Sequence, residues 1–439
     1  MTIKSISTNI GKALLINAFF MFIAIVISVI EGFDSGFTPL AISFSVTFIT
    51  GMFPFIFVKS EPSATLQSGF MTIVLSWLLS FVFGMLPYVL WGGEFTLINA
   101  WFESVSGYTT TGATILTDIE SLPKSILFWR SSTHFIGGLG VIIFLLMVLP
   151  DSSAVKLRLT HLELSSLSKE GYRFRSGTTA RVMVGVYCAL TTCLFLLLWA
   201  AGMSPFDAVN HAFSTVSTGG FSTRNMSIMH YDSVIIDIIL TVFMILSSMH
   251  FGTLFAIAVK RSFKPLGNSV TRYYLSIIAV ISIIIMLSLK LQGGYESWGK
   301  ALLDSTFQTA SYISTTGFGQ ADNALWPLLA NTLLIFAAFH CGCSGSTTGG
   351  IKADRAYISI KAIYGEFQKR LHPNSMFRTR INGRILDEET ISSVFLYIVL
   401  YLFTALVSFT LVLICGISVG DAFSGTIASL GNVGPGTGA

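Results

Sequence analysis

Nine apolar stretches dictate what this chain can become. They lie near residues 13–30, 37–58, 69–91, 123–149, 179–201, 233–258, 273–291, 325–341 and 391–416, and most approach or exceed the ~20 residues a helix needs to cross a bilayer. In lipid every backbone N–H and C=O must find its partner inside the protein, so spans of this kind have to be helical. Charge agrees: charged residues are 11% of the chain and hydrophobic ones 52%, against roughly 25% charged in a soluble domain. The first stretch follows a weakly basic start (Lys4, Lys12) and lacks a small-x-small cleavage site, so it reads as a retained helix and not as a leader.

The basic residues cluster in three interruptions, Lys156 to Arg181, Lys260 to Arg272 and Lys352 to Arg384. The positive-inside rule places these on the cytoplasmic side, with the N-terminus and the turn Lys59 to Ser63. Orientation in a bilayer accounts for this charge without any nucleic acid partner. Five cysteines (Cys188, Cys193, Cys341, Cys343, Cys415) sit in or beside apolar segments. Their odd number and the absence of paired C-x-x-C motifs give neither a disulfide framework nor a zinc site.

Between the basic segments stand four interruptions of a different kind, rich in Ser, Thr and Gly and nearly free of Lys and Arg. They read GYTTTGAT (Gly107 to Thr114), STVSTGGFS (Ser214 to Ser222), SYISTTGFG (Ser311 to Gly319) and SLGNVGPG (Ser429 to Gly436). Aligned on Gly112, Gly220, Gly317 and Gly434, they keep register upstream, as copies of one unit should. Two residues before each glycine stand Thr110, Thr218, Thr315 and Asn432. Thirteen residues before stand Asn99, Asp207, Asp304 and Asp421, which are N-cap types, each followed by a small residue. The implied unit is a helix, a half-helix of about ten residues too short to span, an extended loop and a returning helix.

Non-helical backbone at membrane depth is tolerated only where protein buries it or it lines a water-filled path. Four such loops around one axis make a pore. The half-helices would aim the partial negative charge of their C-termini at its centre, which favours a cation. Glycine lets successive carbonyl oxygens turn inward to replace an ion's hydration shell. No Asp or Glu lies within the four strings, so a large monovalent cation fits better than a divalent one.

The third repeat departs from the others after its loop. Its returning helix runs into Cys341-Gly342-Cys343-Ser344-Gly345-Ser346-Thr347-Thr348-Gly349-Gly350. Each of the four glycines costs a helix roughly 1 kcal/mol against alanine, so the helix should break here, at membrane depth. A gate, a hinge and a small-residue packing surface are all compatible with that break.

The strings TTTGAT, STGGFS, STTGFG and NVGPG, with CGCSGSTTGGIKADR at Cys341 to Arg355, closely resemble the TrkH family, the membrane subunits of bacterial Trk potassium-uptake systems in the Trk/Ktr/HKT superfamily. The likeness runs over essentially the whole chain. It implies an all-α integral membrane fold of four pseudo-repeats around one central pore, preceded by two extra helices. These divide as residues 1–66 for the two N-terminal helices, 67–150 for the first repeat, 151–260 for a cytoplasmic loop and the second, 261–384 for the third with its broken helix, and 385–439 for the fourth. The resemblance implies a potassium-binding filter at Thr110, Thr111, Gly112, Thr218, Gly219, Gly220, Thr315, Thr316, Gly317, Asn432, Val433 and Gly434. It implies an intramembrane gate at Gly342, Ser344, Gly345, Ser346, Thr347, Gly349, Gly350 and Lys352. Loops one, two and four lack the full T-V-G-Y-G of tetrameric potassium channels. The family further implies a homodimer in the bacterial inner membrane, filter mouths outward, with a cytoplasmic nucleotide-binding ring subunit of the TrkA type. Potassium would be the transported ion, with no organic cofactor. A returning helix is expected after Gly436, beyond Ala439.

Glu103, Arg130, His134 and His211 are ionisable groups at membrane depth. They are either functional or anchors for the half-helices. His250 and His340 read as buried core histidines. A sodium- or proton-coupled carrier is the alternative within transport. A membrane enzyme is disfavoured, because no H-E-x-x-H, G-x-S-x-G or G-x-x-x-x-G-K-[ST] pattern occurs.

Overall fold

The structure, a computed structural model, describes residues 3–58, 66–147, 176–372 and 378–435. The turn at Lys59 to Ser63, the basic loop up to residue 175 and the end of the fourth string at Gly436 lie outside the described residues. The architecture is all-α apart from one two-residue hairpin. The chain divides into two compact units, Met1–Leu162 with Phe174–Ile236, and Glu163–Arg173 with Asp237–Ala439.

In the first unit, helix α1 (Ile3–Ile30) lies against α2 (Phe37–Phe57). Glycine makes that approach possible, since a Cβ on Gly11 would stand 2.7 Å from the Gly51 carbonyl oxygen. Helices α3 (Leu66–Gly84) and α4 (Leu86–Trp91) form one span, Gly69–Trp91. The short α5 (Leu97–Tyr108) then precedes α6 (Lys124–Met147), and the same pattern repeats in α7 (Ser176–Ala200) and the short α8 (Pro205–Val216). The core gathers Phe20, Met21, Leu40, Tyr88 and Trp129. Asn17, fully buried, donates to Ser80 Oγ (3.1 Å) and accepts from the Tyr108 hydroxyl (2.9 Å), pinning the end of α5 to α1 and α3.

The second unit contains α9 (Val234–Ser247), α10 (Phe251–Lys260), α11 (Ser269–Leu291), the short α12 (Trp298–Ile313), α13 (Leu328–His340), α14 (Ala353–Leu371), α15 (Glu388–Ile414) and the short α16 (Val419–Gly431). Tyr274, Ile278, Ile285, Leu334 and Val433 belong to its core. The hairpin Arg380–Ile381 with Arg384–Ile385 turns on Asn382 and Gly383, both at positive φ, and Asn382 caps the start of α11 through the Ser269 N–H (2.9 Å).

Among the described residues, six helices are long and apolar enough to cross a membrane: Ile6–Ile30, Phe37–Phe57, Gly69–Trp91, Val182–Ala200, Ser269–Leu291 and Glu388–Ile414. This is a multi-pass membrane protein. Helix α15 is apolar nearly all round, with only Val394 and Tyr401 buried and Leu396, Val399 and Phe403 facing outward, as a helix bathed in lipid requires.

Two expected spans are corrected. The stretch 233–258 is not continuous: α9 and α10 meet at a bend of 105°. The stretch 325–341 holds only the 13 residues of α13, about 20 Å at 1.5 Å per residue. That falls short of the ~30 Å hydrocarbon core.

The N-caps are also corrected. The true caps are Thr96, Ser204 and Ser418, whose hydroxyls accept from the N–H of Asn99 (3.3 Å), Asp207 (3.0 Å) and Asp421 (3.2 Å). The Asn/Asp residues occupy the third helical position, as the acidic partner in a capping box does. In the third repeat α12 starts earlier, after Ser297, so Asp304 lies inside the helix. Replacing Ser204 with alanine should cost about 1 kcal/mol, read as a lower melting temperature of the detergent-solubilised protein.

Candidate functional site: four loops and two broken helices

All four short helices end in the same turn. The residue two before each aligned glycine is left-handed, at φ 56° for Thr110, 58° for Thr218, 59° for Thr315 and 57° for Asn432. Its N–H reaches back three residues, and the next N–H reaches back five. Thr110 and Thr111 donate to the carbonyls of Gly107 (3.1 Å) and Ser106 (2.9 Å), and Thr218 and Gly219 to those of Thr215 (3.0 Å) and Ser214 (2.8 Å). Thr315 and Thr316 donate to Tyr312 (3.1 Å) and Ser311 (3.0 Å), and Asn432 and Val433 to Ser429 (3.3 Å) and Ala428 (2.8 Å). This is the Schellman pattern, which satisfies carbonyls a helix end would otherwise leave bare. Its left-handed position usually carries glycine, and β-branched threonine is strained there. Threonine Oγ1 donates to the preceding carbonyl in two copies, Thr110 to Thr109 (2.7 Å) and Thr218 to Ser217 (2.6 Å).

Two residues on, the glycines are left-handed again, at φ 79° for Gly112, 82° for Gly220, 75° for Gly317 and 86° for Gly434. Space as well as angle demands glycine. A Cβ on Gly112 would stand 1.9 Å from the Gly219 carbonyl oxygen, and one on Gly317 would stand 1.9 Å from that of Val433. Each acceptor is the residue just before the neighbouring loop's glycine. Loops one and two therefore meet by the same contact as loops three and four, once in each unit. Of the predicted filter side chains, Thr110, Thr111, Thr218, Thr315, Thr316 and Val433 are buried.

The strand after each of the first three glycines is tied back to its own half-helix by a buried side chain nine residues before that glycine. Glu103 accepts from Thr114 Oγ1 (3.0 Å) and the Ile115 N–H (3.3 Å). His211 Nε2 pairs with Ser222 Oγ (3.0 Å), and Gln308 Nε2 donates to the Ala321 carbonyl (3.3 Å). In the second repeat, Asp207 also accepts from Thr223 Oγ1 (2.6 Å) and Arg224 Nη2 (2.9 Å).

The predicted gate residues form an ordered, mostly buried strap between α13 and α14. Cys341, Gly345, Gly350 and Lys352 have positive φ. The strap docks on the α9–α10 bend: Cys343 N–H donates to Ser248 O (2.8 Å) and Phe251 N–H to Gly345 O (3.1 Å). Each break thereby supplies backbone partners to the other. Ser344 N–H donates to Asp354 Oδ2 (2.5 Å), Ser346 Oγ to Cys343 O (2.6 Å), and the Tyr397 hydroxyl to Gly350 O (3.2 Å). Gly349 approaches the end of α16, where an added Cβ would stand 2.5 Å from Gly431 O.

Comparison with known proteins decides the family. The description TrkH, cation transport protein, matches residues 40–439. The chain belongs to the TrkH family. Its sequence is 34% identical over 345 residues to the Trk system potassium uptake protein TrkH of Salmonella typhimurium, covering 78% of this chain and 71% of that one. It is 34% identical to TrkG of Escherichia coli K12, covering 76% and 72%. The crystal structure of the potassium transporter TrkH from Vibrio parahaemolyticus superposes with a TM-score of 0.89 at 29% identity, covering all of this chain and 91% of that one.

Within this TrkH-family chain, sequence reasoning singled out the four loops and the glycine-rich strap but missed the second break and its supports, Ser248, Tyr274, Asp354 and Tyr397. Tyr274 and Ser248 share a 2.5 Å hydrogen bond at the bend. Ser248-Met249-His250 carries no Gly or Pro, so no breaker marked it. Gln308 was legible: it occupies the repeat position of Glu103 and His211.

Burial acts to raise the Asp207 carboxyl, but hydrogen bonds from Thr223, Arg224 and Ser204 and the Arg224 charge outweigh it and hold the group below the usual carboxylate range. A depressed carboxylate stabilises the fold above its ordinary value of about 4 and loses that contribution as pH falls through its folded value. The melting temperature in detergent should drop across that acidic window, and Asp207→Asn should shrink the drop.

Proposed function

We propose that this chain is the ion-conducting subunit of a Trk-type potassium-uptake system, with the four loops as a carbonyl filter and the glycine-rich strap as its gate. The single observation that carries this reading is the repeated turn: four half-helix ends, each with two left-handed positions in three residues. Such a turn sends the chain past the negative end of a helix dipole, where a cation is favoured. No carboxylate lies in the four strings. Carbonyl and hydroxyl oxygens are therefore the ligands on offer, and they suit a weakly hydrated monovalent ion. The relatives are named as potassium uptake proteins, which makes potassium the ion of choice. Filter ligands would come from Thr110 to Gly112, Thr218 to Gly220, Thr315 to Gly317 and Asn432 to Gly434.

The strap from Gly342 to Lys352 supports a gating role because it meets the bend at Ser248 backbone to backbone, one break in a helix against another. Two backbone hydrogen bonds join the two breaks, each worth about 1 kcal/mol net. A conformational input that offers the freed groups new partners, so that none is left bare, can release them. We assign that input to a separate cytoplasmic nucleotide-binding subunit, as the word system in the relatives' names suggests, and we take the functional unit to be a homodimer in the inner membrane. The repeat boundaries at residues 67, 151, 261 and 385 belong to the same reading.

Potassium-limited growth of a transport-deficient strain tests the filter. The wild-type chain should rescue growth and Gly317→Ser should not, at equal membrane abundance; equal rescue would contradict the assignment. Shortening the strap between Gly342 and Gly350 should raise potassium flux in vesicles, and unchanged flux in a stable protein would remove its gating role.

A further inference from the structure

Beside the first two loops lies a buried ion pair that belongs neither to the proposed filter ligands nor to the proposed gate. Glu103 on α5 and Arg130 on α6 are 0% and 1% exposed. Arg130 Nε and Nη2 both approach Glu103 Oε1 at 2.7 Å. Taking two such charges out of water costs several kcal/mol per ion, so a pair of this kind is a poor means of stabilising a fold. Ionisable groups at membrane depth mark function by default.

The partners of the pair say what it does. Glu103 holds the strand after Gly112 through Thr114 Oγ1 and the Ile115 N–H. Arg130 Nη1 donates to the Ser222 carbonyl (3.3 Å), two residues after Gly220. The guanidinium lies 4.0 Å from the ring centroid of Phe221, the residue following that glycine. His134, one turn further along α6, stacks on the same ring at 4.0 Å. It also blocks any side chain on Gly219, where a Cβ would stand 2.5 Å from its Nδ1. One buried pair thus grips the residues just beyond two filter glycines. At the equivalent repeat position the second and third copies use His211 and Gln308, and the fourth has Gly425. Only the first copy carries a charge there, matched by an arginine from the returning helix.

Selection by a carbonyl ring depends on where its oxygens can sit and how many reach the ion. Charge-assisted bonds are about twice as strong as neutral ones, so they hold the residues after Gly112 more firmly than the His211 and Gln308 contacts at the equivalent position do in their repeats. We propose that Glu103 and Arg130 are specificity-determining positioning residues, which fix the first two loops against each other and thereby set the preference for potassium over sodium. This rests on the reading of the loops as a filter.

The test uses the full chain in planar bilayers or vesicles, with the potassium-to-sodium permeability ratio taken from reversal potentials. A ratio is insensitive to how much protein is folded. Glu103→Gln should lower it by about tenfold, equivalent to ~1.4 kcal/mol of discrimination. Arg130→Lys should give a smaller drop in the same direction, because lysine keeps the charge but loses the planar fork that reaches Glu103 and Ser222 together. Thr114→Val removes one bond to Glu103 without exposing a charge and should also lower the ratio. It decides the matter with Arg130→Lys if Glu103→Gln does not reach the membrane. Gly112→Ser serves as the filter control. An altered ratio in Gly112→Ser with wild-type ratios in the brace variants would overturn the brace and leave the filter standing. A wild-type ratio in Gly112→Ser would overturn the filter reading and the brace with it.

Discussion

Hydrocarbon offers no hydrogen bonds, and that one fact governs this molecule. Every place where a helix stops inside the membrane leaves carbonyls and N–H groups that must be met from within, at several kcal/mol for each one left bare. The four half-helix ends meet the demand locally by closing on themselves with reach-back bonds of three and five residues. The two broken helices meet it jointly. Neither the bend at Ser248 nor the strap at Cys341 to Lys352 is self-sufficient, and each supplies the other through Cys343, Gly345 and Phe251. An interruption that can exchange partners is compatible with movement; one that closes on itself is compatible with a fixed ligand site.

The loops place strain where rigidity is useful. A threonine held left-handed stores roughly 1–3 kcal/mol, and such positions persist only when the surroundings over-determine them. Here the surroundings do so: two reach-back bonds, a threonine hydroxyl on the preceding carbonyl in two copies, and a neighbouring loop whose carbonyl would collide with any side chain on Gly112 or Gly317. The fourth copy reaches the same angle with Asn432, a residue that visits the left-handed region more easily. The geometry of the turn is common to all four copies even where their sequences diverge, so backbone shape, and not one side chain, is what the repeats share.

Much of this was legible in the residues. The apolar stretches gave the membrane and most of the spans, because a run of twenty apolar residues has few other uses. Glycines in register gave the loops, and the strained position two residues upstream was visible as Thr, Thr, Thr and Asn. The break after His340 was announced by four glycines. Less was legible where structure depends on partners distant in the sequence. Nothing in Ser248-Met249-His250 signals a break, since it forms against a strap almost a hundred residues later. In the first, second and fourth repeats the N-caps were misplaced by one turn because Ser, Thr, Asn and Asp all suit that end of a helix, and hydrogen-bond geometry alone separates the cap from its partner three residues on. Arg130 was marked as out of place in lipid, but its partner in the half-helix could only be found in three dimensions.

In the proposed filter, backbone carbonyls of four like turns hold a potassium-sized ion. Anomalous scattering measures this directly, from crystals of the protein grown in potassium and soaked with rubidium or thallium. Such a filter should give anomalous peaks beside Gly112, Gly220, Gly317 and Gly434 that weaken as potassium competes and persist when sodium is added. Absence of peaks at those glycines, or equal displacement by sodium, would contradict it.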